Sequence, residues 1–367
     1  MWLNFSVRCA HAVRSSRLHA LAFIQLRWLW LIPALALAGW VSWRTSRTTS
    51  QSLSLPPTNV PAVSLAPAAP APIVRSNAPS GQKFSQEVFE AQLALVRRGI
   101  SSGSLDGVIG FQTRAALRAF QESEGWRATG EIDAATSDRL ASTVPLYVAY
   151  MVTADDLARL QPIGKTWLAK SQQNRLEFET LLELAAELGH AHPGLVRRLN
   201  PDIDWANVAV GTTVRIPNAE YPAVAPRAAQ LKIFVGNRIL EAFDSEGRLL
   251  AHFPCSIAQR VEKRPVGETL RVSVLAPNPN YTFDPDVFPE SAEARELGRK
   301  LILPPGPNNP VGTVWIGLDK PGYGIHGTPR PEEVGRTESH GCFRLANWNA
   351  EYLLKLVWVG VPVGVEP

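Results

Sequence analysis

The spacing of apolar and polar residues changes twice along this chain. Within 84–99, Val88, Gln92, Leu95 and Val96 recur at helical intervals, and Gly99 stands where a helix would stop. The string TRAALRAFQESEG repeats that interval with Ala116, Leu117 and Phe120, and Asp106-Gly107 marks a turn between the two helices. Together they predict a compact helical domain over 82–142. In 181–217 a helix ends near Gly189, a second runs through Leu199, Asn200-Pro201 turns, and 214–216 reads as a strand. From Gln230 the period drops to two. Leu231, Ile233 and Val235 point one way, Lys232 and Phe234 the other, and Gly236-Asn237 follows as a hairpin turn. Further strands are predicted at 239–243, 249–253, 270–274 and 314–318, then a helix over 348–358 and β character over 359–363. The expected architecture is multidomain: a mainly β sandwich or barrel over 229–367, preceded by the helical domain and by an α+β segment over 146–218.

The first 81 residues follow neither period. A basic segment, 1–26, carries Arg8, Arg14 and Arg17, and Arg27 opens the apolar run WLWLIPALALAGWVSW. Positive charge followed by an apolar run is the arrangement of a membrane segment whose downstream chain leaves the cytoplasm. We therefore expect a transmembrane anchor over 27–44, with Trp28, Trp30, Trp40 and Trp43 at its two interfaces. The run is shorter than the roughly 20 residues that span comfortably, and Ala36-Leu37-Ala38 resembles a cleavage site. A cleaved signal peptide is the alternative. Residues 45–81, rich in Pro, Ala and Ser, read as an extended linker.

Composition narrows the chemistry. A net charge of +4 without a dense Lys/Arg stripe excludes a nucleic-acid partner. Three cysteines, Cys9, Cys255 and Cys342, do not make a disulfide framework, and an isolated cysteine in an exported protein points to reactivity. A Cys255–Cys342 disulfide would silence that thiol. The segment 325–345, IHGTPRPEEVGRTESHGCFRL, brings together His326, His340 and Cys342. A thiol becomes a strong nucleophile when an imidazole takes its proton, and the same imidazole can return it to a leaving amine. His326 is the candidate partner, too far along the chain for one helical face but within reach across two neighbouring strands. Gly327 and Gly341 permit close approach or a sharp turn, and Arg344 adds positive charge. Two other readings stand beside this one: Cys342 as a small buried hydrophobe with structural histidines, and zinc held by His326, His340 and Cys342. A His-x-Cys spacing is not a standard zinc knuckle, and no fourth ligand is evident.

His-Gly-Thr followed by Ser-His-Gly-Cys-Phe-Arg-Leu resembles the signature of the YkuD-type L,D-transpeptidases, which remodel bacterial peptidoglycan. The resemblance implies Cys342 as acylated nucleophile, His326 as proton donor and acceptor, and Ser339, His340, Gly341 and Arg344 in support, Gly341 beside the oxyanion and Arg344 orienting substrate or bracing the turn. It implies no metal or organic cofactor. Phe343 departs from the smaller aliphatic residue usual after the cysteine. Its partners would be peptidoglycan stem peptides and glycan, and its place the inner membrane, single pass, with the catalytic domain in the periplasm. Acyl transfer to an amine would cross-link the wall, or anchor an outer-membrane lipoprotein. A non-catalytic wall anchor and an L,D-carboxypeptidase are the alternatives. Asp106-Gly107, Thr113-Arg114, Phe120-Gln121 and Gly130 are similarly spaced to those of a peptidoglycan-binding module, and 146–218 looks like a LysM fold with an insertion at 155–178. A second insertion, 277–301, carries Tyr281, Phe283 and Phe288, and is expected to be either a lid over the cleft or an ordinary surface excursion.

Overall fold

A computed structural model describes residues 83–223, 226–288, 291–337, 339 and 341–367. The expected basic segment, the anchor or signal over 27–44 and the linker lie outside the described residues.

The first domain is built on α1 (Gln86–Val96), α2 (Phe111–Ser123) and α3 (Ala134–Leu140). Ser85 and Asp133 cap two of these helices, their side chains accepting from Val88 N and Thr136 N. The turns between helices are organised by two buried glutamines. Gln92 donates to Asp106 Oδ1 at 2.9 Å and Thr113 Oγ1 at 3.1 Å while accepting from the amides of Asp106 and Gly107. Gln121 does the same for the next turn, donating to Thr129 and Thr136 and accepting from Gly130 N. Asp106, Gly107, Thr113 and Gly130 of the motif are thus partners of these two amides, and Gln121 of its Phe-Gln pair is itself one of them.

Next come β1 (Tyr147–Met151), α4 (Ala154–Arg159), α5 (Trp167–Ser171), α6 (Leu181–Leu188), α7 (Pro193–Leu199) and β2 (Thr213–Pro217). β1 and β2 pair antiparallel from Tyr147↔Pro217 to Met151↔Thr213. Asn200, buried, ties the end of α7 to β2 by donating to Val196 O and Arg215 O and accepting from Arg215 N. Phe89 of α1 stacks on Tyr147 at 5.4 Å, so the first helix serves two cores at once.

The third domain contains β3 (Gln230–Phe234), β4 (Ile239–Phe243), β5 (Leu249–Pro254), β6 (Thr269–Pro277), β7 (Tyr281–Phe283), α8 (Ala292–Leu297), β8 (Leu301–Leu303), β9 (Val314–Leu318), β10 (Gly324–His326), β11 (Phe343–Arg344), α9 (Asn347–Leu356) and β12 (Pro362–Glu366). Eight strands form one sheet in the order β11-β10-β9-β6-β12-β3-β4-β5. Alternation buries Leu231 and Ile233 of β3 fully against Leu240, Phe253 and Leu353. Just past β5, Ser256 pairs antiparallel with Arg344 of β11. The two ends of the sheet therefore meet, and the sheet curls into a nearly closed barrel. β6 is longer than its sequence pattern, and β12 lies at 362–366 rather than 359–363. The chain first turns at Gly360, whose φ of 110° suits glycine, before entering the sheet between β3 and β6.

The expectation of an inner-membrane anchor is corrected. Among the described residues no helix is long and apolar enough to cross a membrane. The 13-residue α2 rises about 20 Å at 1.5 Å per residue, against a hydrocarbon core of about 30 Å.

Replacing Gln92 by Leu would fill the same space but orphan the buried amides of Asp106 and Gly107. The expected outcome is a loss of at least about 2 kcal/mol in the helical domain, read as a lower urea midpoint with unchanged far-UV signal before the transition. A midpoint equal to wild type would refute this account of the turns.

Candidate active site

The site forms where β10 and β11 run side by side. They pair parallel, Ile325 with Phe343 and His326 with Arg344, which puts Cys342, the residue just before β11, beside the start of β10. This is the neighbouring-strand arrangement that the sequence spacing allowed. On its other side β10 pairs with β9, His326 opposite Trp315. The Trp315 indole stacks on the imidazole at 5.7 Å between centroids.

His326 is buried, and its Nδ1 lies 2.6 Å from the Gly327 carbonyl. A carbonyl can only accept, so Nδ1 carries the proton and Nε2 is the basic nitrogen. Gly327 is packed in turn against Asn347, the first residue of α9. The Asn347 side chain accepts from Thr313 N and donates to Pro307 O, and a Cβ on Gly327 would overlap Asn347 Oδ1. Sequence reasoning missed Asn347, whose position before a helix marks it only as a terminus.

Cys342 is half-buried, its Sγ 3.5 Å from the Gly322 carbonyl. Cys255 is fully buried and also a free thiol, so the disulfide weighed from sequence is not formed. Burial pushes the Cys342 thiol up to about 11, against the opposing pull of a hydrogen bond with the Gly324 backbone and of the Arg344 and Lys263 charges. Burial pushes His326 down to about 4, with the Gly327 hydrogen bond opposing and Arg344 adding to the fall. At neutral pH the resting site therefore holds a protonated thiol and a neutral imidazole.

Ser339 braces the turn. Its hydroxyl donates to the Cys342 carbonyl at 2.5 Å and accepts from Gly341 N at 3.3 Å. Its own backbone is clamped between Ile257 O and Gln259 N, each at 2.8 Å. In the resting structure the Gly341 amide is thus directed at Ser339. Arg344 is held through its backbone, donating to Ser256 O and accepting from Ser256 N, with its guanidinium desolvated beside Cys342 and Cys255. His340 lies outside the described residues. Among the described residues no three His, Cys, Asp or Glu side chains are gathered as a metal ion would need. The loop leading to Ser339 is tethered by residues that no motif flags: Gln112 of α2 donates to Val334 O at 2.7 Å, and Ser256 Oγ accepts from Gly335 N at 2.9 Å.

A buried imidazole with a fixed tautomer on one strand, and a thiol just ahead of the neighbouring strand, are the groups that a cysteine acyl-transfer site uses. Comparison with known proteins makes this specific. Residues 231–365 match the family model of the L,D-transpeptidase catalytic domain, and 85–140 match that of a peptidoglycan binding domain. YqjB of Bacillus subtilis, named as a candidate L,D-transpeptidase, is 31% identical over 153 residues, 40% of this chain and 72% of that protein. YkuD of Bacillus licheniformis, named likewise, is 25% identical over 189 residues, 52% of this chain and 94% of that protein. Among solved structures, an L,D-transpeptidase from Mycobacterium smegmatis is 19% identical with a TM-score of 0.30, covering 43% of this chain and 65% of that one. The chain belongs to the L,D-transpeptidase family, enzymes that act on peptidoglycan.

Alkylation of Cys342 by iodoacetamide should climb with pH through a midpoint near 11, because deprotonation of the free thiol opposes burial. A rate already at its plateau below pH 7 would reveal a thiolate–imidazolium pair and overturn the neutral assignment.

Proposed function

We propose that Cys342 is acylated by a peptidoglycan stem tetrapeptide, releasing the terminal D-alanine, and that the acyl group then passes to an amine. The observation that carries this reading is the fixed tautomer of His326, whose Nδ1 is committed to Gly327 O at 2.6 Å and whose Nε2 is free to act as base. Nε2 takes the thiol proton as Sγ attacks the carbonyl. Collapse of the adduct breaks the C–N bond, and the imidazolium returns its proton to the departing amine. A neutral starting pair suits this sequence, since charge develops only as the bond forms. Ser339 keeps the Gly341–Cys342 turn in place for attack, and Arg344 stabilises the thiolate or orients a stem carboxylate. The acceptor is proposed to be the side-chain amine of a second stem, with a lipoprotein lysine as the competing amine.

The two preceding domains fit a role in bringing the site to its substrate. We read the unit over 146–218 as a LysM-like wall-binding fold, supported by its antiparallel strand pair and the packing of α6 and α7 on β2.

The test is to incubate the full chain with purified tetrapeptide muropeptides, alongside Cys342→Ala, and analyse products by mass spectrometry. D-alanine release with dimer formation in wild type, both abolished by the substitution, is expected. D-alanine release without dimers would make the protein a carboxypeptidase, and no reaction in either would leave a wall-binding protein.

A further inference from the structure

The two insertions that interrupt the family patterns, 155–178 and 277–301, pack on each other. β7 and β8 form a small hairpin paired from Tyr281↔Leu303 to Phe283↔Leu301. Tyr281, Phe283, Leu301 and Leu303 share one face by the period of two, while Ile302 points to solvent at 65% exposure. The shared face does not rest on the catalytic barrel. It rests on α5 of the preceding domain, where Trp167 stacks on Phe283 at 4.5 Å and meets Phe288 at 5.4 Å and Tyr281 at 6.2 Å. Leu176 and Phe283 are both completely buried in the resulting small core.

Backbone contacts lock the same junction. Leu176 N donates to Pro305 O and Leu176 O accepts from Asn308 N, both at 2.9 Å. The Asn308 side chain donates to Glu177 O and Glu183 Oε1, and Leu168 N donates to Glu293 Oε1 at 3.1 Å. Gly306, at φ 144°, lies so close that a Cβ there would overlap the Leu176 carbonyl. A junction with a buried aromatic stack, paired backbones and an obligatory glycine is built, rather than incidental.

The hairpin springs from the row of residues that carries the base. Ala276 of β6 is opposite Trp315, and Trp315 is opposite His326. Asn278 N then bonds Thr313 O at 2.7 Å, and the chain rises into Tyr281. The root of the hairpin is thereby fixed at the end of β6 and β9 that lies beside His326.

We infer that Trp167 is a positioning residue for the transfer reaction: through Phe283 it makes the preceding domain hold the β7–β8 pair as a fixed wall at the His326 end of the site, screening the acyl-enzyme from water. The inference rests on the acyl-transfer reading given above. The thioester at Cys342 has two fates. An amine attacks the carbonyl, the C–S bond breaks, and the amine's proton passes by way of His326 to the departing sulfur; or water attacks, leaving a free carboxylic acid and the thiol. A wall that excludes water favours the amine.

The experiment compares full-length wild type, Trp167→Ala, Trp167→Phe and Gly306→Ala on muropeptide tetrapeptides, measuring the ratio of hydrolysed tripeptide to cross-linked dimer. This ratio is set per acyl-enzyme, so loss of folded protein does not move it. Trp167→Ala and Gly306→Ala should raise it by about tenfold, and Trp167→Phe should restore it. Equal ratios in all four proteins would overturn the proposal. Should wild type form no acyl-enzyme, the function fails instead, and hydrogen exchange tests the wall alone. Amides of 281–283 and 301–303 should exchange faster in Trp167→Ala while those of β3 and β12 stay protected, and unchanged exchange at the hairpin would refute it.

Discussion

The closure of the sheet at Ser256 and Arg344 is the constraint on which the site depends. β11 is only two residues long and occupies one end of the strand order, where it would ordinarily be a weak edge. Because the chain leaving β5 at the opposite end bonds both backbone groups of Arg344, β11 is held from both sides. Its register against β10 is then the register of Cys342 against the strand that carries His326. A slip of one residue would turn Arg344 and Phe343 to opposite faces and carry the thiol away from the base.

That geometry is used in a desolvated setting. Burial works on both partners in the direction of neutrality, raising the thiol to about 11 and lowering the imidazole to about 4. Each shift favours the uncharged form because taking a charge out of water is costly; the Arg344 guanidinium offsets part of that cost for the thiolate and adds to it for the imidazolium. A thiol kept protonated is a poor target for chance alkylation or oxidation.

The domains ahead of the barrel are more than tethers. Residues 99–101 continue the catalytic sheet, with Ile100 bridging to His252 and Ser101 N donating to His252 O, so the open edge at β5 is covered by the helical domain. Gln112 from that domain holds the loop that precedes Ser339. Tyr221, in the connection before β3, stacks on Tyr352 at 4.2 Å and bonds Asn349 of α9 at 2.5 Å. With Trp167 against the hairpin, each preceding domain touches the catalytic domain.

What the sequence alone determined was everything governed by local rules. The helical spacing of Leu95 and Leu117 and the strict alternation of Leu231 and Ile233 specified helices and strands, because burial on one face imposes a period that survives in the chain. The HGT and SHGC strings likewise pointed to His326 and Cys342, since that chemistry tolerates few residue types. The tertiary structure decided what no period records. Strands of two or three residues such as β7, β8, β10 and β11 are too short to show alternation, and they exist only because partners far along the chain supply their hydrogen bonds. The turn at Gly360, the packing of Asn347 against Gly327 and the stack of Trp167 on Phe283 each join residues whose nearness depends on the barrel having closed. Side chains that act through such distant partners leave no spacing to read.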